Sequence, residues 1–113
     1  MHEMSLAESV MQIIEDAAAK QSFGCVKLVR LEVGELAGVE SEALRFCFDA
    51  VTRGGIAEGC RLEIIAMPGE GWCLQCEAKT PLRRLFDACA SCGSYRVRPV
   101  AGSEMRVRDL MVE

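Results

Sequence analysis

The chain has 113 residues, 50% of them hydrophobic, and a formal net charge of −4 at pH 7. This length allows one compact domain, or a small domain with an attached module. No apolar run approaches the length of a membrane span, and the acidic balance argues against general affinity for nucleic acid.

The first half of the chain predicts a helix followed by a strand. Ser5 and Glu8 form a capping-box pattern, and apolar residues then recur at three- and four-residue spacing. We therefore expect a first helix from about Leu6 to Gln21. Cys25 to Val33 has apolar residues on both sides with charged residues between them, which is typical of a strand.

A second helix and two further strands complete the predicted fold. Ser41 to Arg53 carries apolar residues on one face, and Gly54 can end the helix. Cys60 to Met67 and Glu104 to Val112 have strand character. The prediction is an α+β fold: a small mixed sheet of about three strands, covered by two helices, with a cysteine module inserted before the last strand.

Two Cys-x-x-Cys pairs are the strongest chemical signal in the sequence. Cys73 and Cys76 form the first pair, Cys89 and Cys92 the second, and twelve residues separate the pairs. This spacing is close to that of zinc sites, in which four sulfurs surround Zn²⁺ tetrahedrally. Because four thiolates leave no position for water or substrate, the pattern indicates structural rather than catalytic Zn(II).

Other uses of these cysteines are weaker, but one stays open. Two disulfides are disfavoured because the sequence opens without a secretory signal and has seven cysteines, an odd number that suits a reducing compartment. We therefore expect a cytoplasmic protein. A thioredoxin-like site needs only one such pair. Iron suits the same four sulfurs and is not excluded by the sequence.

The predicted domains are residues 1–68 plus 102–113, an α/β domain, and residues 69–101, the zinc-binding module. The module has few large apolar residues, so metal binding must supply much of its folding free energy. Its charge is +2, against −5 for residues 1–68. This asymmetry would suit an acidic partner surface, although a solvated face is the simpler interpretation.

The first three residues could form a second metal site. His2 is the chain's one histidine, and a lone histidine near a terminus commonly has no role. However, the α-amine of Met1, the amide nitrogen of His2 and its imidazole can chelate one ion through fused rings. Cu²⁺ and Ni²⁺ favour such planar, nitrogen-rich geometry. Glu3 could supply the fourth ligand.

Together, these features resemble those of the hydrogenase maturation nickel chaperones of the HypA/HybF family. The resemblance rests on Met1-His2-Glu3, on Gly34-Glu35 after the first long strand, and on Cys73-x₂-Cys76-x₁₂-Cys89-x₂-Cys92. It covers the whole chain, including its length.

The resemblance implies a division of metals between two sites. His2 would bind Ni(II) as cargo, with Met1 and Glu3 contributing, and the four cysteines would hold structural Zn(II). Nickel would pass to a [NiFe] hydrogenase large-subunit precursor with help from the GTPase HypB. An acidic residue at the position of Glu40 has been considered near nickel in some relatives. Others carry a histidine in the zinc module, which this sequence lacks.

Two functions therefore compete. The first is a nickel metallochaperone, which would bind neither nucleic acid nor a membrane. It would not be an enzyme, since the sequence has no nucleophile–base pair and no phosphate-binding loop. The second is a zinc-ribbon adaptor that binds protein or nucleic acid, with His2 irrelevant. The candidate contacts of an adaptor are Trp72, Arg83, Arg84, Tyr95, Arg96 and Arg98.

Overall fold

The structure is a computed structural model that describes residues 2–113. In chain order its elements are α1 (Glu3–Gln21), β1 (Val26–Gly34), a 3-10 turn (Glu35–Ala37), α2 (Ser41–Thr52), β2 (Arg61–Met67), β3 (Gly69–Cys73), β4 (Ala78–Leu82), β5 (Val97–Ala101) and β6 (Met105–Val112). Neither α-helix in this range combines the length and hydrophobicity needed to cross a bilayer.

The three strands predicted from the sequence form one sheet, in the order β2-β1-β6. The helices α1 and α2 pack against each other. The predicted α+β class with two helices and an inserted cysteine module is therefore confirmed. The inserted segment contains a second three-stranded sheet, in the order β4-β3-β5, which was not predicted from the sequence.

The start of α1 differs from the prediction. The helix begins at Glu3, and His2 occupies the N-cap position without a side-chain hydrogen bond. Ser5 therefore lies within the first turn, and its carbonyl oxygen accepts from the Ser9 hydroxyl at 3.0 Å. The capping-box interpretation was wrong because Glu3 is held by a contact distant in sequence, described below, which a local pattern does not show.

The chain divides into two compact units. The first contains the chain up to Leu31, Val39–Ile64 and Val107–Glu113. Its core combines one face of each helix with β1, and its largest fully buried side chains are Val10, Ile14, Val26, Val29, Leu31, Leu44 and Phe48. The burial of this many large apolar side chains is the main source of stability for the unit.

The second unit contains Glu32–Gly38 and Ile65–Arg106. Its strands β4 and β5 are the two edges of the second sheet and both pair antiparallel with β3. Each edge strand contains a proline, which is tolerated there because an edge strand has backbone positions without a ladder partner. A side chain at Gly71 would collide with Leu82 and Val97, so this glycine lets the inner face of the sheet close.

The segment around Gly34 ties this unit together. The Leu36 N–H donates to the Gly102 carbonyl oxygen at 2.8 Å, and the Gly69 N–H donates to the Glu35 carboxylate at 3.3 Å. A Cβ atom at Gly34 would fall on the carbonyl group of Gly102. The Gly34-Glu35 pair therefore permits a close backbone approach and then bonds one end of β3.

Candidate metal centres

The four paired cysteines come together in one cluster. Their sulfur atoms all lie within 4.8 Å of one another. The Sγ atoms of Cys73 and Cys92 are 3.6 Å apart, and those of Cys76 and Cys89 are 4.0 Å apart. A tetrahedron with metal–sulfur bonds of about 2.3 Å has sulfur–sulfur edges of about 3.8 Å. The cluster therefore fits a single tetrahedral metal ion.

Two backbone turns of the same form place these sulfurs. In the first turn the Glu77 N–H donates to the Cys73 carbonyl oxygen at 2.9 Å, and in the second the Gly93 N–H donates to that of Cys89, also at 2.9 Å. The residue after each second cysteine has a positive φ, +54° for Glu77 and +78° for Gly93. Such a φ suits glycine but costs other residues about 1–2 kcal/mol, so the first turn is strained.

Hydrogen bonds from backbone N–H groups to sulfur stabilise thiolate charge in the cluster. The Cys76 N–H donates to the Cys73 sulfur at 3.3 Å. Backbone N–H groups of Cys92 and Ser91 lower the pKa of the Cys89 thiol to about 6, because they stabilise its thiolate. Hydrogen bonds with Cys92 and Cys73 raise the pKa of Cys76 to about 12. The backbone around Cys89 thus stabilises negative charge on its sulfur.

Thr80 is a structural member of the site that the sequence interpretation missed. Its side chain is buried on β4, and its hydroxyl oxygen accepts from the Ala90 N–H at 3.1 Å. A hydrogen bond from Thr80 also helps to lower the pKa of Cys89. No local signal in the sequence identifies it, because its inward position depends on the register of β4 against β3.

His2 and Glu3, two of the three predicted nickel ligands, lie at the start of α1. Met1 lies outside the described residues, so nickel binding by its amine stays a prediction. His2 is exposed, and its carbonyl oxygen accepts from the Leu6 N–H at 3.2 Å, in the first turn of the helix. Its side chain makes no capping hydrogen bond.

Glu3 joins α1 to the start of α2. Its Oε2 atom accepts from the Glu40 N–H at 3.2 Å, and this hydrogen bond lowers the pKa of Glu3. The Glu40 carboxylate in turn accepts from the Glu42 N–H at 3.2 Å and caps α2. The structure therefore brings Glu3 and Glu40 together, as the sequence alone did not establish.

Comparison with known proteins decides the family. The sequence profile described as "Hydrogenase/urease nickel incorporation, metallochaperone, hypA" matches residues 1–112. The chain belongs to the HypA family. The description of this family is that of a metallochaperone for nickel incorporation, and its members named below are hydrogenase maturation factors.

Two relatives align with the chain over its whole length. It is 56% identical over 113 residues to the hydrogenase maturation factor HypA of Dechloromonas aromatica (strain RCB) and 57% identical to that of Azotobacter chroococcum mcd 1. Each alignment covers 100% of both chains. Similarity at this level places the chain among hydrogenase maturation factors with a nickel-incorporation role.

Solved structures support the HypA fold. The chain superimposes on the solution structure of the Ni metallochaperone HypA from Helicobacter pylori with a TM-score of 0.70 and 24% identity, covering 99% of this chain and 97% of the other. A second HypA solution structure gives a TM-score of 0.72 at 23% identity, covering 100% and 97%. At such identities the superposition establishes the fold alone.

Proposed function

We propose that the protein binds Ni(II) at its N-terminus and delivers it for maturation of a [NiFe] hydrogenase, while the four cysteines hold structural Zn(II). The observation that carries the nickel assignment is the hydrogen bond from the Glu40 N–H to the Glu3 carboxylate. It fixes a carboxylate beside the exposed His2, at the first turn of a helix. His2 and Glu3 are held near each other in this way, which limits the space that their donor atoms can occupy.

The proposed nickel ligands are the Met1 amine, the amide and imidazole nitrogens of His2, and Glu3. Amide coordination requires loss of the His2 amide proton. His2 precedes the first helical residue, so this loss breaks no hydrogen bond of the α-helical ladder. Nitrogen-rich, planar coordination suits Ni(II) and Cu(II) and does not suit Zn(II), which gives the site a preference for Ni(II) over Zn(II).

Zinc is proposed for the cysteine cluster because the four thiolates form a closed, tetrahedral set. Cys73, Cys76, Cys89 and Cys92 would each supply one sulfur, and the ion would fold the unit rather than catalyse a reaction. Iron fits the same geometry, so elemental analysis of purified protein is the direct test. We expect close to one zinc per chain, and iron in its place would contradict the assignment.

Delivery of nickel is proposed to involve two further proteins, and the two domains of the chain are proposed to have different roles. The maturation GTPase HypB would assist transfer of nickel to the hydrogenase large-subunit precursor, in the cytoplasm. Residues 1–68 plus 102–113 would form the nickel-binding domain, and residues 69–101 the zinc-binding module. The exposed position of His2 supports transfer, because a cargo ion must be reached by the accepting site.

The test is a Ni(II) titration of untagged protein, followed by the absorption of planar nickel and by X-ray absorption. We expect His2→Ala and an N-terminal extension each to abolish this absorption and to leave zinc content unchanged. Glu3→Ala should weaken binding. Glu8→Ala is the matched control, since Glu8 is an exposed carboxylate on the same helix.

Two outcomes would contradict the proposal. Tight nickel binding by the extended protein would show that the Met1 amine is not a ligand. Identical titrations for the parent and His2→Ala would favour the alternative, a zinc-ribbon adaptor in which His2 has no role.

A further inference from the structure

One face of the second sheet places a tryptophan between two cations. In the register of this sheet, Trp72 on the central strand pairs with Lys79 on β4 and with Arg98 on β5. Directly paired residues lie on the same face of a sheet, with their Cβ atoms about 5 Å apart. A row of cation, indole and cation therefore crosses all three strands, on what we call the outer face.

The opposite face is the buried one, so the outer face is directed to solvent. Along β3 the residues alternate between buried Gly69, Gly71 and Cys73 and half-buried Glu70 and Trp72. Along β4, Thr80 and Leu82 are buried, whereas Lys79 and Pro81 are exposed. The outer face consists of Glu70, Trp72, Lys79, Pro81 and Arg98, with Arg96 at its end.

Arg96 extends the positive charge of the outer face. Its carbonyl oxygen accepts from the Leu74 N–H at 2.9 Å, which continues the β3–β5 pairing by one position. Within residues 2–113, Lys79, Arg96 and Arg98 have no carboxylate oxygen within 4.0 Å, whereas Arg30 and Arg106 are paired with acidic side chains. Three cations stand against one acidic residue, Glu70, on the outer face.

A groove beside Lys79 adds room for an apolar side chain. It has a volume of about 200 Å³ and is lined by Pro68, Gly69, Glu70, Lys79, Thr80 and Pro81. Two of the lining residues are prolines, which supply apolar surface. The lining therefore combines apolar surface with one acidic and one basic side chain, Glu70 and Lys79. An apolar recess with a polar rim is how protein interfaces commonly hold an anchor residue.

We propose that the outer face binds an acidic segment of a partner protein that carries one apolar anchor residue. The cations would attract the acidic side chains, and the anchor would enter the groove beside Lys79. Nucleic acid fits less well, because three cations neutralise few phosphates and the chain carries −4 overall. This proposal does not depend on the nickel site, since every residue of the outer face belongs to the second unit.

The experiment uses the intact, metal-loaded protein and random 12-residue peptides displayed on phage. We expect selected peptides to be rich in Asp and Glu and to contain a large apolar residue. A synthetic copy of the most enriched peptide is then titrated into the protein while tryptophan fluorescence is followed. Trp72 is the chain's one tryptophan, so a saturable change reports binding at the outer face.

The discriminating variant is Lys79→Glu/Arg98→Glu, which should weaken peptide binding about tenfold or more by reversing two contact charges. Lys20→Glu/Arg61→Glu is the matched control, because it changes net charge equally at exposed positions of the first unit. It should leave the affinity within about twofold. Unchanged metal content and nickel binding in both variants show that neither metal site is altered.

Several results would overturn the proposal. They are failure to enrich acidic peptides, equal loss of affinity in the two double variants, and tighter binding of a 12-nucleotide oligothymidylate than of the peptide. Self-association that Lys79→Glu/Arg98→Glu abolishes would identify a second copy of this chain as the occupant instead of a partner protein.

Discussion

The two units of the molecule are stabilised by different means. Among residues 2–113, seven of the eight largest fully buried side chains belong to the first unit, and Cys73, a residue of the cysteine cluster, is the one in the second. In the second unit, Phe86 is 90% exposed and Tyr95 78% exposed. One unit is thus folded around an apolar core, and the other around sulfur atoms.

This difference determines which change destabilises each unit. A fold that depends on dispersed apolar contacts loses stability gradually as side chains are truncated. A fold that depends on four thiolates fails when the ion is removed, because bringing the sulfurs together without it has no other large source of free energy. The helices lie in the first unit and Trp72 in the second, so one optical signal reports each unit.

Metal removal should give the largest difference in stability between the two units. With a strong chelator, or in Cys89→Ser, we expect the second unit to unfold with a loss on the order of 10 kcal/mol, the range of structural zinc sites. Tryptophan fluorescence should shift to that of an exposed indole, while the helical circular dichroism persists. Loss of both signals together would mean that the first unit depends on the metal as well.

Truncation of the apolar core should instead destabilise the first unit and leave the cysteine cluster intact. Phe48 is 2% exposed in the core of the first unit, and Phe48→Ala should destabilise the unit by about 3–5 kcal/mol. Phe46, two residues earlier on the same helix, is 74% exposed, so Phe46→Ala is the matched control and should have little effect. Thermal unfolding followed by helical circular dichroism measures both, and metal content should not change.

A close backbone contact gives the third test. Gly34→Ala would press a methyl group onto the Gly102 carbonyl, and we expect it to destabilise the second unit by about 1–3 kcal/mol, as overpacking does. Gly24→Ala is the control because nothing lies within 4 Å of the added atom. Denaturant unfolding followed by Trp72 fluorescence should separate the two variants; equal midpoints would refute the contact.

Gly34 also marks a limit of sequence interpretation. In the sequence this glycine follows the first long strand, but its contact with Gly102 joins residues far apart in the chain, and no local pattern encodes it. The start of α1 was misassigned for a similar reason, since the hydrogen bond from the Glu40 N–H to Glu3 outweighs a capping pattern at Ser5. Local periodicity identified the helices and the first sheet because their apolar faces are long.

The second sheet was harder to predict because its strands have only five residues each. Pro81 and Pro99 interrupt the strand signal, and the pairing depends on the closure of the cysteine cluster. The cluster itself was predictable, since two Cys-x-x-Cys pairs specify a tetrahedral site by spacing alone. The inward position of Thr80 was not, because it follows from the register of a sheet that the sequence did not reveal.

The two cysteine turns allow a smaller and more local test within the second unit. Gly93→Ala should destabilise the unit by about 1 kcal/mol, because a side chain disfavours the φ of +78°. Glu77→Gly, at φ +54°, should instead be neutral or stabilising by a few tenths of a kcal/mol, since relief of strain is offset by the greater freedom of glycine when unfolded. Resistance of the metal to a competing chelator measures both effects.

The smallest expected effect concerns the carboxylate that joins the two helices of the first unit. The Glu40 N–H lowers the pKa of Glu3 below 4.5 in the folded protein. Glu3 therefore stabilises the fold above about pH 4.5, and this contribution is lost as the pH falls through the lowered pKa. Glu3→Gln should be slightly less stable than the parent near neutral pH and equal to it in stronger acid.

The comparison uses helical circular dichroism during thermal unfolding, with Glu8→Gln as the control on the same helix. A difference that persisted unchanged in acid would show that the charge of Glu3 does not stabilise the contact, and that its side chain acts through packing alone.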